Sequence, residues 1–164
     1  KENLLQIPAS RRDIMTLEEK IVAMLDEHNA PYEVYEHEPV YTNPAMAEAL
    51  KVSEAETVKS LVLSTKEKEM IVLVLPGNKK VDWKQAARGA GTKKVSFAKP
   101  EAVSAAVGCE VGCVPPFGHL TPLPIYMDPE LAAKQDVYFN PGVHDKSFKV
   151  KARDLQKLCT PKMI

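Results

Sequence analysis

Val58–Ser64 (VKSLVLS), the charged turn Thr65–Glu69 (TKEKE) and Met70–Pro76 (MIVLVLP) decide the fold. Both flanking runs are short and nearly continuous in their apolar character, which predicts two strands joined as a hairpin. Strands that are apolar on both sides need cover on both faces, so this hairpin is expected at the centre of a sheet rather than at its edge. Neither run approaches the roughly 20 apolar residues that a membrane-spanning helix needs.

The pattern continues in both directions. Upstream, Thr16 and Glu19 have capping-box spacing, and Leu17, Ile21, Met24 and Leu25 recur at helical intervals. That helix should stop near Asn29, because Pro31 disfavours helical geometry at Ala30. Tyr32–His37 alternates as a strand. Asn43 is expected to cap a short helix to about Leu50, with Pro44 at its first position. Downstream, Asp82 is expected to cap a helix to Arg88 that Gly89 and Gly91 end. Lys93–Phe97 reads as a strand and Pro100–Val107 as a helix. Gly108–Pro124 (GCEVGCVPPFGHLTPLP) is the least regular stretch. Ile125–Asp128 and Val137–Asn140 read as strands flanking a helix, Pro129–Lys134. A strand, Phe148–Lys151, and a helix, Ala152–Leu158, close the pattern. Strands and helices alternate with hairpins mixed in, which predicts an α/β (mixed α+β) protein with a central mixed β-sheet or barrel surrounded by helices. Residues 1–15 show no clean period and read as an N-terminal extension, either a loose arm or an appended helix; residues 16–164 form a single domain.

Composition agrees with one globular domain. The chain has 164 residues, 45% hydrophobic and 27% charged, which argues against a long disordered tail, a collagen-like repeat or a membrane protein. Cys109, Cys113 and Cys159 cannot all pair within one chain, and the first residues lack the apolar core of a signal peptide. A reducing, cytoplasmic setting is therefore expected. Cys109 and Cys113 have no second Cys/His pair at zinc-binding spacing, so no metal is expected. Nucleophile-elbow, Walker, dinucleotide-binding and HExxH motifs are absent.

Three places carry possible chemistry. Lys59 stands in an apolar strand, where an ammonium must snorkel to water at the strand end, pair with a carboxylate, or serve a ligand. The segment Gly112–His119 (GCVPPFGH) is either an ordinary proline-rich connection or a stiff loop that aims backbone N–H groups at one oxygen. Asn140–Asp145 (NPGVHD) is either a tight turn or a device presenting the His144 imidazole to a cleft.

These segments, in this order, resemble the YbaK/EbsC family, whose fold is shared with the editing domain of bacterial prolyl-tRNA synthetases. The likeness lies in His37–Thr42 (HEPVYT), Val58–Val62 (VKSLV), Leu73–Gln85 (LVLPGNKKVDWKQ), Val111–Gly118 (VGCVPPFG) and Phe139–His144 (FNPGVH). It runs from about Thr16 to Leu158. The resemblance implies an aminoacyl-tRNA deacylase that hydrolyses the ester between a wrong amino acid and the terminal adenosine, with no metal or other cofactor. It implies that Lys59 is the essential lysine and that Gly112 through Pro116 form the GxxxP substrate loop, Gly112 sharing the catalytic role. Around the substrate it implies Tyr41, Thr42, Cys113, Val114, Pro115, Pro116, Phe117, Gly118, His119, Gly142 and His144. A small amino acid is the expected target. The partners implied are the acceptor end of aminoacyl-tRNA and an aminoacyl-tRNA synthetase, with no membrane. The alternative is a non-catalytic module that binds a nucleotide or tRNA end, or a synthetase-associated regulatory domain.

Twenty-two basic and 22 acidic residues cancel, which alone counts against nucleic-acid binding by bulk charge. The charges are nevertheless segregated. Residues 79–99 carry seven cations against Asp82 alone, whereas residues 26–56 carry eight acids against Lys51 alone. This pattern fits two solvated faces, or a basic track of Lys79, Lys80, Lys84, Arg88, Lys93 and Lys94 for the acceptor stem, with binding that weakens steeply in salt.

Overall fold

The expected hairpin forms and organises the rest of the chain. The computed structural model describes residues 6–108, 114–117, 120 and 123–164. Its elements begin with α1 (Ala9–Ile14), α2 (Leu17–Glu27), β1 (Tyr32–Glu36) and α3 (Asn43–Leu50). A 3-10 turn, Glu54–Glu56, leads into β2 (Val58–Thr65), β3 (Met70–Pro76), α4 (Trp83–Ala90) and β4 (Val95–Phe97). Then come α5 (Pro100–Val107), β5 (Ile125–Met127), α6 (Pro129–Ala132) and β6 (Asp136–Phe139). The chain closes with β7 (Lys146–Lys151), α7 (Ala152–Cys159) and β8 (Lys162–Met163).

The sheet is mixed, as the sequence predicts. Five strands run in the order β4-β2-β3-β5-β8, with β3 at the centre, antiparallel to β2 and parallel to β5. A second, antiparallel sheet has the order β1-β7-β6. A bridge between Thr57 and Tyr138 joins it to the start of β2.

Alternation along the hairpin sends side chains to two cores. Val58, Val62, Val72 and Val74 enter the larger one, with Ile21 and Leu25 of α2, Phe139, Phe148, and Leu155 of α7. Leu63, Ile71, Leu73 and Leu75 enter the smaller one, beneath Ala86 and Ala87 of α4 and beside Val95.

Local signals account for most boundaries. Thr16 Oγ1 accepts from the Glu19 N–H at 3.1 Å while the Glu19 carboxylate accepts from the Thr16 N–H at 3.2 Å, completing the capping box. The helix Pro100–Val107 has the limits read from sequence.

Three expectations need correction, and one strand was not foreseen. Thr42, not Asn43, caps α3: its hydroxyl accepts from Ala45 N–H at 3.2 Å, and Asn43 begins the helix with its side chain engaged elsewhere. Gly89 lies inside α4, and Gly91 alone ends it, at φ +70°. A Cβ at Gly89 would stand 2.6 Å from Ile164, so Ile164 packs where that side chain is missing. The short strand β8, unmarked by any pattern, docks beside β5. The strand expected from Lys93 begins only at Val95. In the N-terminal extension, α1 forms, and Ile7 ahead of it is buried.

Candidate active site

Lys59 is the second residue of β2 and pairs across the hairpin with Leu75. It therefore shares the face of Leu61 and Leu63, the face that α4 covers. Cover ends where α4 begins, and beyond that point a cavity of about 630 Å³ opens over Lys59 and Leu61. Its walls come from Thr42, Asn43 and Pro44 at the start of α3, from Glu54, and from Gly77, Lys80 and Val81 after β3. Trp83 and Phe97 stand at its edge towards α4 and β4.

The Lys59 ammonium does not reach free into water. Its Nζ donates to the backbone carbonyl of Lys79 at 2.8 Å. Partial burial lowers its pKa below the ordinary lysine value, and the nearby Glu54 carboxylate works against that shift. The result is a cation tied by one bond, with two further N–H donors for a ligand.

A knot of hydrogen bonds holds the cavity wall. Thr57, fully buried, donates from its hydroxyl to the Glu54 carbonyl at 2.6 Å and accepts from Asn43 Nδ2 at 3.1 Å. Asn43 Nδ2 also donates to the Val58 carbonyl at 3.1 Å. Gly77 passes so close that a Cβ there would lie 2.0 Å from Thr57 Oγ1 and 2.8 Å from the Glu54 carbonyl oxygen. Only glycine permits that approach.

A second hollow, about 790 Å³, lies along α4 and β4. Lys84, Arg88, Lys93 and Lys94 line it, and Trp83 and Phe97 line both it and the Lys59 cavity. The two rings meet edge to face with centroids 5.0 Å apart. The basic hollow and the lysine cavity thus share these two residues in their walls.

Not every cation faces that groove. Lys79 Nζ is held by Asp128 at 2.7 Å and Glu130 at 3.2 Å, and the bond to Asp128, foremost, raises its pKa. Its charge is taken up by these two carboxylates, and its carbonyl is what restrains Lys59. Lys80 lines the Lys59 cavity.

The remaining candidates divide into groups. Thr42 lines the cavity. Tyr41 and His144 pair with ring centroids 4.5 Å apart, and His144 Nδ1 donates to the Val40 carbonyl at 3.1 Å. Neither of the two is among the described residues lining the cavity. Gly142, at φ +97°, packs against Leu17 of α2, where a Cβ would come within 3.2 Å. Val114, Pro115, Pro116 and Phe117 are buried, with Val114 and Phe117 in the larger core, on the other face of the hairpin from Lys59. The Pro116 carbonyl accepts from the Cys159 thiol at 3.0 Å, and burial pushes that thiol's pKa up. Gly112, Cys113, Gly118 and His119 lie outside the described residues. Among the described residues, no three of His, Cys, Asp and Glu gather as a metal site. No described helix is long and apolar enough to cross a membrane.

Sequence reasoning did not single out Asn43, Glu54, Gly77, Trp83 or Phe97 for the site. The one local hint was the isolated tryptophan within the basic stretch.

Residues 37–158 match the aminoacyl-tRNA editing domain family. The chain is similar to the multifunctional Ser/Thr-tRNA deacylase ProXp-y of Escherichia coli K12, 28% identical over 150 residues, covering 89% of this chain and 90% of that protein. It is also similar to EbsC of Enterococcus faecalis, a candidate Cys-tRNA(Pro)/Cys-tRNA(Cys) deacylase, 30% identical over 110 residues, covering 65% of this chain and 67% of that protein. Among solved structures, that of a candidate trans-editing enzyme for prolyl tRNA synthetase superposes with a TM-score of 0.77 at 26% identity, covering 92% of this chain and 96% of that one.

Proposed function

The chain belongs to the aminoacyl-tRNA editing domain family, and from that premise we propose how its cavity and groove carry out the reaction. The protein is a hydrolase of aminoacyl-tRNA that edits mischarged tRNA. The ester it cleaves is already activated, so the site needs to hold the substrate, stabilise the developing oxyanion and place a water.

Lys59 supplies a fixed positive charge at the cavity, for the terminal phosphate or the aminoacyl group. The resemblance assigns the oxyanion to backbone N–H groups of the 112–116 loop; Pro115 and Pro116 have none to give and Val114 is buried in the larger core, which leaves Gly112 and Cys113 as the proposed donors. A water, helped by a ribose hydroxyl or a backbone carbonyl, adds to the ester carbon. The tetrahedral intermediate then breaks its bond to the ribose oxygen, which takes up a proton. Free amino acid and tRNA leave. The observation that carries this reading is Lys59 itself: a half-buried cation held at 2.8 Å by one carbonyl, in a cavity that shares Trp83 and Phe97 with a neighbouring basic groove.

Lys80, Lys84, Arg88, Lys93 and Lys94 track the acceptor end, while Lys79 acts through its carbonyl on Lys59. The amino acid removed is small, in keeping with the serine, threonine and cysteine in the relatives' names. A methylene changes pocket affinity by only about 1–3 kcal/mol, so neighbouring small substrates are partly shared. The protein acts in trans in the cytoplasm, alongside a prolyl-tRNA synthetase.

Release of free amino acid from a panel of charged tRNAs tests the assignment. Lys59→Ala is expected to lower kcat/KM by about two to three orders of magnitude. Equal rates in wild type and variant overturn the role of Lys59, and tight binding without turnover in the wild type makes the chain a binding module.

A further inference from the structure

Trp83 and Phe97 have no place in the chemistry above, yet they stand where its two hollows meet. They are 39% and 60% exposed, an unfavourable state for large rings unless something covers them. The edge-to-face contact at 5.0 Å leaves ring surface open to solvent, and around it stand Lys80, Lys84, Arg88 and Lys94. Lys84 and Arg88 follow each other by one helical turn on α4. Exposed aromatic faces bordered by cations are the arrangement that grips single-stranded nucleic acid: the rings take bases, the cations take phosphates.

We infer that Trp83 and Phe97 form a stacking platform for the unpaired 3′-terminal bases of the tRNA. The inference rests on the reading of the Lys59 cavity as the place of the aminoacyl ester. With the ester there, nucleotides running from the cavity to the basic groove pass the two rings that line both. Stacking uses the face that every base shares, so the platform supplies affinity and positioning without reading sequence. It divides the work with the groove: the cations set the salt dependence, and the rings recognise that the end is single-stranded.

Trp83 is the chain's single tryptophan, so its emission reports on the platform alone. The intact protein is titrated with uncharged tRNA, and with the same tRNA trimmed of its unpaired 3′ nucleotides. Saturable quenching by the intact form, largely lost with the trimmed one, is expected. By anisotropy of 5′-labelled tRNA, Trp83→Ala should weaken binding about ten-fold, with the slope of affinity against salt unchanged. Trp83→Phe should restore most of the loss, and far-UV circular dichroism checks that each variant is folded. Equal quenching by trimmed tRNA, or equal affinity of Trp83→Ala, overturns the platform. So does self-association that Trp83→Ala abolishes while tRNA affinity stays the same. Because the readout is binding, its failure is separable from failure of the catalytic reading: wild type that binds as described but releases no amino acid keeps the platform and loses the enzyme.

Discussion

On one face of the β2–β3 hairpin, Val58, Val62, Val72 and Val74 are buried in the larger core. On the other, Leu63, Ile71, Leu73 and Leu75 are buried as deeply, yet Lys59 and Leu61 at one end line an open cavity. The strands supply apolar residues to both faces, so strand composition does not explain the difference. Cover does. The first face is closed by α2, α5, α7 and the phenylalanines of the second sheet. The second is covered by the alanines of α4, while β4 extends the sheet beside β2 only from Leu63 to Thr65, leaving Lys59 and Leu61 beyond both. Binding space arises where the covering element ends, and there the strand carries a lysine.

The sharpest way to break this comparison is to damage the closed face. Phe139 is fully buried and touches both Phe117 and Phe148, with ring centroids 5.4 and 5.7 Å away. Phe139→Ala should cost about 3–5 kcal/mol of unfolding free energy in denaturant titrations. A loss under about 1 kcal/mol would mean that this face is not the closed core described.

On the open face the cost falls on function instead. Lys59→Met should lower the rate of deacylation about 10²–10³-fold while leaving the thermal midpoint unchanged or raised, because it removes a half-buried charge. Activity assays beside thermal melts check both halves; a destabilised variant would make Lys59 a structural residue.

Gly77 tests the wall between the faces. Gly77→Ala forces a methyl group against Thr57 Oγ1 and the Glu54 backbone and should cost about 1–3 kcal/mol. Thr57→Ala, made in the same background, should recover part of that loss by removing the closest contact. No recovery would point to the backbone as the obstacle.

The smallest effect is on pH dependence. Burial lowers the folded-state pKa of Lys59, so the unfolded chain holds this proton to higher pH than the folded one. Between that lowered value and the unfolded value of about 10.4, stability rises with pH as the burial penalty is relieved. The stability gap between Lys59→Met and wild type should therefore narrow from pH 7 to pH 10. Taking the difference cancels the other lysines, including Lys79, whose carboxylate partners move its pKa in the opposite direction.

Much of this was legible in the chain. The hairpin, its central place and the caps at Thr16 and Asp82 rest on patterns a few residues long. Lys59 stood out because a cation in an apolar strand is a local anomaly. The basic character of residues 79–99 was equally plain, but not its division of labour. Lys79 and Lys80 are adjacent, and only the fold turns one onto Asp128 and Glu130 and the other into the cavity. Trp83 and Phe97 lie on different elements, and no periodicity links them.

The sequence by itself determined most of the strands and helices, the family likeness and the lysine that carries the reading. Backbone preference, capping and alternation act between near neighbours and can be read there. The tertiary structure alone decided which candidate side chains share a site. Thr42 and Asn43 are both competent caps, and the choice fell to Thr42 because Asn43 finds Thr57 and the Val58 carbonyl across the fold. A polar group takes the partner that leaves the fewest buried atoms unsatisfied, and that partner is chosen by packing between distant segments.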